Sequence, residues 1–540
     1  MTCESCAHTV ADALSGAGGA APRVDHRTGE ATFEPGEATD RALQDAVEAA
    51  GYRVVEITAA EARTAGPTHR GGAPPRRQYD LLVLGSGSAA FAAGIRARDL
   101  GASVALCESG TIGGTCVNIG CVPSKAMLAA ADRYYRAGHH SFPGVATSQG
   151  AVDLGAVVEW KDGLVEEMRG AKYEHLAEEY GFTLLCGHGA FTGPDTYVCD
   201  GRPVAAERYL IATGAVPRLP PVPGLEEAGY LTSTTALKLR EPPGALAVIG
   251  ANAIGLEMGQ LFARLGTRVT MLEAQERIAP FEEPEISRAL AEALADERIA
   301  VRPGVTVTRV ERRDGQRRVV FQAGGEEEAL ACDHVLVATG RRPNTRGLGL
   351  AEAGVQLTPQ GAVQVDPQLR TSNPRIWAAG DVTPVPQFVY VAAAQGTVAA
   401  ENAIGGAGRT VDWRGLPRVT FTSPQIAAAG MTEQEAREAG RQVETRVLPL
   451  NAVPRALVAR ETRGLFKLVA EAGSGRVLGT HVLAENAGDV VLAAVYAIRQ
   501  EMTVRDLAEA WCPYLTMAEG LKLVAQTFTR DVKKLSCCAA

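Results

Sequence analysis

The sequence predicts an α/β chain: two Rossmann-like units, an α+β C-terminal domain, and a small ferredoxin-like unit at the start. Three observations carry that prediction. An apolar strand beginning at Tyr79 runs into a glycine turn and an alanine-rich helix, and the same pattern recurs at Ala245. Beyond about residue 413 the spacing of strands and helices changes. Ahead of these units, the first 57 residues carry a short pattern of their own. A length of 540 residues, at roughly 150 residues per domain, suits three or four such bodies.

In chain order, residues 1–57 read as a helix carrying Val10, Ala13 and Leu14, then a hairpin over Pro22–Pro35 turning at Arg27-Thr28-Gly29. A second amphipathic helix follows with Leu43, Ala46, Val47 and Ala50, and then a strand over Tyr52–Ile57. Residues 58–78, rich in Ala, Gly, Pro and Arg, read as a flexible linker. The first nucleotide-binding domain is expected over 79–243 and, after an insertion, 364–412. The insertion, 244–363, is the second nucleotide-binding domain, and 413–540 is the C-terminal domain.

In the first unit Gly85 permits the tight turn out of the strand, Gly87 lets backbone N–H groups approach a pyrophosphate, and Ala90 allows close helix–strand packing. Glu108 ends the second strand, which runs from Ala102 to Cys107, where a carboxylate accepts ribose hydroxyl protons. The second unit has Gly250 and Gly255, but Asn252 replaces the middle glycine, which predicts a bulkier turn. Glu273 ends its next strand and favours NADH, because a carboxylate there repels the 2′-phosphate of NADPH. Arg277, four residues on, partly offsets that repulsion.

Composition excludes several function classes. A charge of −8 argues against nucleic acid as a partner. No uncharged apolar stretch is long enough to insert in a membrane. The start of the chain has no signal-peptide pattern, so a cytoplasmic location is expected. The 11 cysteines are more informative, since six fall into three close pairs: Cys3/Cys6, Cys116/Cys121 and Cys537/Cys538. In a reducing compartment such pairs point to redox or metal chemistry. Cys116 and Cys121 cannot be bridged on one straight helix: five residues rise about 7.5 Å, beyond the roughly 7 Å limit for a disulfide. An irregular turn is therefore required, and Gly120 supplies the freedom. Cys512 is read as a core filler, since free cysteine is commonly buried.

The run Gly113-Gly-Thr-Cys116-Val-Asn-Ile-Gly-Cys121-Val-Pro-Ser-Lys125 makes residues 79–540 resemble the flavoprotein disulfide reductases. Ile211-Ala-Thr-Gly214, Val337-Ala-Thr-Gly-Arg-Arg-Pro-Asn344 and Ile376-Trp-Ala-Ala-Gly-Asp381 add to the match. The resemblance implies FAD at the first site and NADH or NADPH at the second. It implies Asp381 on the ribityl chain, Lys125 near the flavin and paired with Glu257, and Gly110, Thr115, Ala190 and Val389 as further FAD contacts. It also implies that Cys121 lies nearest the flavin while Cys116 faces substrate.

Members acting on organic disulfides carry His-Pro-x-x-x-Glu near the C-terminus, with the histidine as acid/base; here Tyr514 stands in its place. Tyrosine, with an unperturbed pKa of about 10, is a poor proton shuttle near neutrality. Cys537 and Cys538, adjacent near the end, suit a soft metal ion as a dithiol pincer. Cys3 and Cys6 resemble the metal loop of heavy-metal-associated domains, although a thioredoxin-like pair has the same spacing. The first strand of such a βαββαβ unit is expected to be missing, because Met1 directly precedes the loop. Together these features resemble the mercury-reducing branch of the family. That branch implies Hg(II) as thiol complexes for substrate, a homodimer sharing its active site, Tyr173 and Tyr514 lining the metal pocket, and mercury-delivery proteins as partners. Cys116, Cys121, Cys537, Cys538, Cys3 and Cys6 are the implied metal ligands. An organic disulfide reductase and a non-enzymatic metal scavenger are the rival readings.

Overall fold

The computed structural model describes residues 10–11, 14–15, 20–24, 31–34, 39–49, 54, 77–313 and 315–531. It divides into two units, residues 1–74 and 75–540.

In the first unit, strands Ala20–Val24 and Ala31–Glu34 pair antiparallel as the expected hairpin. Helix Asp40–Ala49 follows. Val10, Leu14, Leu43 and Val47 are buried together, with Val24, Ala31 and Val54 packed on them, which is the face that the helical spacing marks as apolar. Cys3, Cys6, the hairpin turn, the strand expected over Tyr52–Ile57 apart from Val54, and the linker apart from residues 77 and 78 lie outside the described residues.

Three of the sheets in the second unit position the site. The first is parallel, in the order Ile376–Ala378, Ala206–Ile211, Tyr79–Leu84, Val104–Glu108, Thr183–Cys186. Leu81 to Leu84 are all essentially inaccessible, as a strand covered on both faces requires. Each such side chain contributes about 1.5–3 kcal/mol of burial. The second sheet is also parallel, in the order Ala300–Arg302, Arg268–Leu272, Ala245–Ile249, His334–Val337. The third is antiparallel, in the order Pro417–Thr420, Gln425–Gly430, Val477–Ala484, Leu465–Glu471, Val443–Pro449, with helix Ala487–Arg499 buried against it.

One local expectation changes. The chain rejoins the first core before residue 364, because Leu350, Ala353, Val355 and Val363 are buried among Leu82, Leu84 and Ile211. The turn at Asn252 is not strained: its φ of −104° is extended, as is that of Gly87 at −79°. The middle position of this turn needs no left-handed backbone. The first position does. Gly85 has φ +106°, and a Cβ there would lie 2.6 Å from the Ala212 carbonyl oxygen. Gly250, at φ +100°, meets the Ala338 carbonyl oxygen at the same 2.6 Å.

Candidate redox site

Cys116 lies in the short helix Gly114–Asn118, and Cys121 opens the long helix Cys121–Gly138. Gly120 separates them at φ −124°, ψ −112°. The break brings the two thiols into hydrogen-bond contact, as no straight helix would. The Cys116 thiol is the donor, and this lowers Cys121 to about 7; the charge of Lys125 acts in the same direction, while burial opposes both. Cys116 is correspondingly pushed up. Of the two, Cys121 is the one that ionises near neutral pH, and Cys116 retains its proton.

Lys125 lies one turn beyond Cys121. Its Nζ is 2.6 Å from Glu257 Oε2 and 4.6 Å from the centre of the Phe421 ring. Glu257 is buried in helix Ala253–Arg264, and its other oxygen accepts the Phe421 N–H at 2.8 Å. One ion pair thus joins the sulfur helix, the second nucleotide unit and the antiparallel sheet. Phe421 was not singled out from the sequence, since nothing local marks it.

Cys116, Cys121, Lys125 and Glu257 line a cavity shared with Gly87, Thr115, Arg341, Asp381 and Val389. Asp381 is desolvated, which raises its pKa, and the charge of Arg341 opposes that shift. Gly114 is pressed against Gly87: a Cβ on Gly114 would lie 2.7 Å from the Gly87 Cα. Glu108 accepts from Ser86 Oγ at 2.6 Å and from the Gly110 N–H at 2.7 Å, so it fixes the turn that a cofactor ribose would meet. A desolvated carboxylate for hydroxyl groups, a glycine-lined phosphate approach and a neighbouring thiolate together fit FAD.

Other expected residues fall outside this cavity. Ala90 is fully buried under its helix, in the packing role expected of it. Tyr173 lies in the π-turn Gly170–Glu174, packs edge-on to Phe91 at 4.8 Å and bonds to Ser88, a cavity-lining residue. Ala190 is not brought to the cavity. It sits on strand Gly189–Gly193 of a separate three-stranded sheet, paired with Val198. Tyr514 is 53% exposed at the surface of the C-terminal domain. Cys512 does not fill a core: it is half-buried in an irregular segment beside the fully exposed Trp511. Cys537 and Cys538 lie outside the described residues.

A second cavity is lined by Gly250, Asn252, Glu273, Gln275 and Phe281 and reaches Trp413 and Arg418. Gly255 packs its helix onto the turn, since a Cβ there would lie 1.9 Å from the Gly250 carbonyl oxygen. Glu273 accepts the Ala251 N–H at 2.6 Å and the Gln275 N–H at 2.9 Å. Arg277 makes no hydrogen bond to Glu273 among the contacts of the described residues. Its Nη2 is committed to the carbonyls of Pro280 and Glu282.

The model of the pyridine nucleotide-disulphide oxidoreductases matches residues 79–396, and that of their dimerisation domain matches 416–525. The chain belongs to this family. It is an FAD-dependent oxidoreductase that uses a pyridine nucleotide. Among curated family members, the mercuric reductase of Staphylococcus aureus is 48% identical over 100% of this chain and 98% of its own length. That of Bacillus cereus is 47% identical over 100% of this chain and 86% of its own length. That of Streptomyces lividans is 53% identical over 85% and 98%, respectively. Of solved family members, the Cu(II) complex of the HOCl-induced flavoprotein disulfide reductase RclA from Escherichia coli superposes with a TM-score of 0.76. It is 28% identical and covers 84% of this chain and 100% of its own. No helix among the described residues is long and apolar enough to cross a membrane.

Proposed function

We propose that this chain is a mercuric reductase: NADH + Hg(II) → NAD⁺ + H⁺ + Hg(0), carried out by a homodimer in the cytoplasm. The observation that carries the proposal is the Cys116/Cys121 pair beside Lys125, in a chain whose relatives over nearly its whole length are named mercuric reductases. Tyr514 in place of an acid/base histidine separates it from reductases of organic disulfides.

Bound in the first cavity, FAD supplies the two-electron relay between the nicotinamide and the sulfurs. Asp381, Glu108, Gly87, Thr115 and Val389 are the residues that would hold it. Lys125, anchored by Glu257, keeps positive charge beside Cys121 and so favours the thiolate. Cys116 holds the shared proton and gives it up as a soft metal ion binds. Hg(II) is the substrate and arrives as a dithiolate complex. Cys537 and Cys538 take it by thiolate exchange and pass it across the subunit boundary to Cys116 and Cys121. One sulfur replaces another at each step, so the ion is never bare in water. Tyr173 and Tyr514 orient the metal complex, Cys3 and Cys6 relay mercury to the tail, and membrane mercury carriers are the partners this path implies.

Glu273 supports NADH as the donor. Two backbone N–H groups fix its carboxylate at the end of the strand, where it would repel a 2′-phosphate, and the Arg277 Nη2 is engaged by backbone carbonyls rather than by Glu273. The relay is tested with a variant lacking Cys537 and Cys538. It should still be reduced by NADH, yet turn over thiol-bound Hg(II) at least about tenfold more slowly, roughly 1.4 kcal/mol in the barrier. Unchanged turnover on thiol-bound Hg(II) would remove the tail from the mechanism.

A further inference from the structure

Cys107 and Cys199 take no part in the mechanism above. Cys107 directly precedes Glu108, the last residue of strand Val104–Glu108, and Cys199 ends strand Thr196–Cys199 of the small three-stranded sheet. Although 92 positions apart in sequence, their sulfurs are 3.1 Å apart. Both are buried, 4% and 6% exposed, among Leu82, Phe191 and Val204. Tyr197 donates its hydroxyl proton to the Cys107 sulfur.

A disulfide needs the sulfurs about 2.05 Å apart, an approach of about 1 Å from here. Two-coordinate binding of a soft metal, with metal–sulfur bonds of about 2.3 Å, needs them about 4.6 Å apart and would have to prise open a close-packed core. Disulfide closure also leaves no charge in an apolar site.

We propose that Cys107 and Cys199 form a second, buried redox dithiol that hydrogen peroxide closes to a disulfide, clasping the small sheet to the strand that carries Glu108. The step balances: one sulfur attacks peroxide and becomes a sulfenic acid, releasing one water. The other thiol then displaces the hydroxyl as a second water, and the two sulfurs have given up two electrons. A dithiol reductant reverses it. Burial pushes Cys107 up to about 12, so thiolate is scarce and closure is slow, faster at pH 9 than at pH 7. The bond would enclose some ninety residues and raise the thermal midpoint of the oxidised protein by constraining its unfolded chain.

The test is peptide mapping of the unaltered full-length holoenzyme. The protein is exposed to hydrogen peroxide, denatured in an alkylating agent and digested without reductant. The expected result is a peptide pair linked through Cys107 and Cys199, lost on dithiothreitol treatment and absent from Cys199→Ser, with Cys332 still alkylated. Full alkylation of both residues would overturn the proposal. So would single over-oxidation to sulfinic acid, a link to Cys186 instead, or a mercury-bridged pair recovered from enzyme exposed only to Hg(II).

Discussion

Replacing Cys116 with alanine removes the hydrogen bond that contributes most to the low pKa of Cys121. At a pKa of about 7, roughly half of Cys121 is thiolate at neutral pH. With the bond gone, the thiol should return toward its ordinary value of 9.0, where only about one molecule in a hundred is ionised at pH 7. Only the thiolate is alkylated, so the rate of Cys121 modification by iodoacetamide at pH 7 should fall by up to about fifty-fold. Lys125 remains in this variant and limits the fall, so the observed factor lies between a few-fold and that ceiling. The assay uses reduced protein, single-hit alkylation, and peptide mass spectrometry across pH 5 to 10. The rate profile should keep its height at high pH and move its midpoint upward. Lys125→Met should move the midpoint in the same direction by less. An unchanged midpoint in Cys116→Ala would show that the Cys116 thiol does not set the ionisation of Cys121, and the proton assignment in the pair would fail.

Acid stability offers a separate check. His481 is wholly buried, with its Nε2 3.0 Å from the Met431 carbonyl oxygen and 3.7 Å from Glu283, and with Lys467 and Arg418 close enough to repel a proton. Burial holds it neutral, its pKa lowered to about 3 from 6.5. The unfolded chain therefore binds a proton that the folded chain refuses. Stability contributed by the neutral ring is complete above about pH 6.5 and is lost as pH falls toward 3. Between pH 7 and pH 5 the loss is about 2 kcal/mol, and urea unfolding of His481→Gln should show less pH dependence by that amount. Equal slopes in the two proteins would discredit the assignment. At the second nucleotide site, Glu273→Ala should improve the KM for NADPH relative to NADH by tenfold or more, about 1.4 kcal/mol. The ratio is the quantity to measure, because removing the carboxylate also leaves the N–H groups of Ala251 and Gln275 unpaired and lowers stability. A wild-type preference for NADPH, or an unmoved ratio, would contradict the reading of Glu273.

Local patterns were legible in the sequence where backbone chemistry leaves no alternative. Gly85 and Gly250 had to be glycine because each meets a carbonyl oxygen at 2.6 Å in a left-handed conformation. The Cys116–Cys121 spacing required a broken helix, and Gly120 supplies the break. The Lys125–Glu257 pair came from the family resemblance alone, since no periodicity links positions 132 residues apart. Contacts of that kind account for what the sequence concealed. Phe421 reaches the site only because the antiparallel sheet docks against helix Ala253–Arg264. Cys107 and Cys199 looked like two scattered cysteines until two strands of different sheets brought them together. Cys512 was read as core from residue type, but its segment has neither helix nor strand to bury it. The commitment of Arg277 to the carbonyls of Pro280 and Glu282 depends on a loop conformation that its spacing from Glu273 does not encode.

The central claim is that electrons from a pyridine nucleotide end on mercury. Purified full-length protein, loaded with FAD and kept under excess thiol, should oxidise NADH only when Hg(II) is added. Mercury vapour should be released mole for mole with the NADH consumed. NADH oxidation indifferent to Hg(II), or rapid reduction of lipoamide or glutathione disulfide in its absence, would contradict the account.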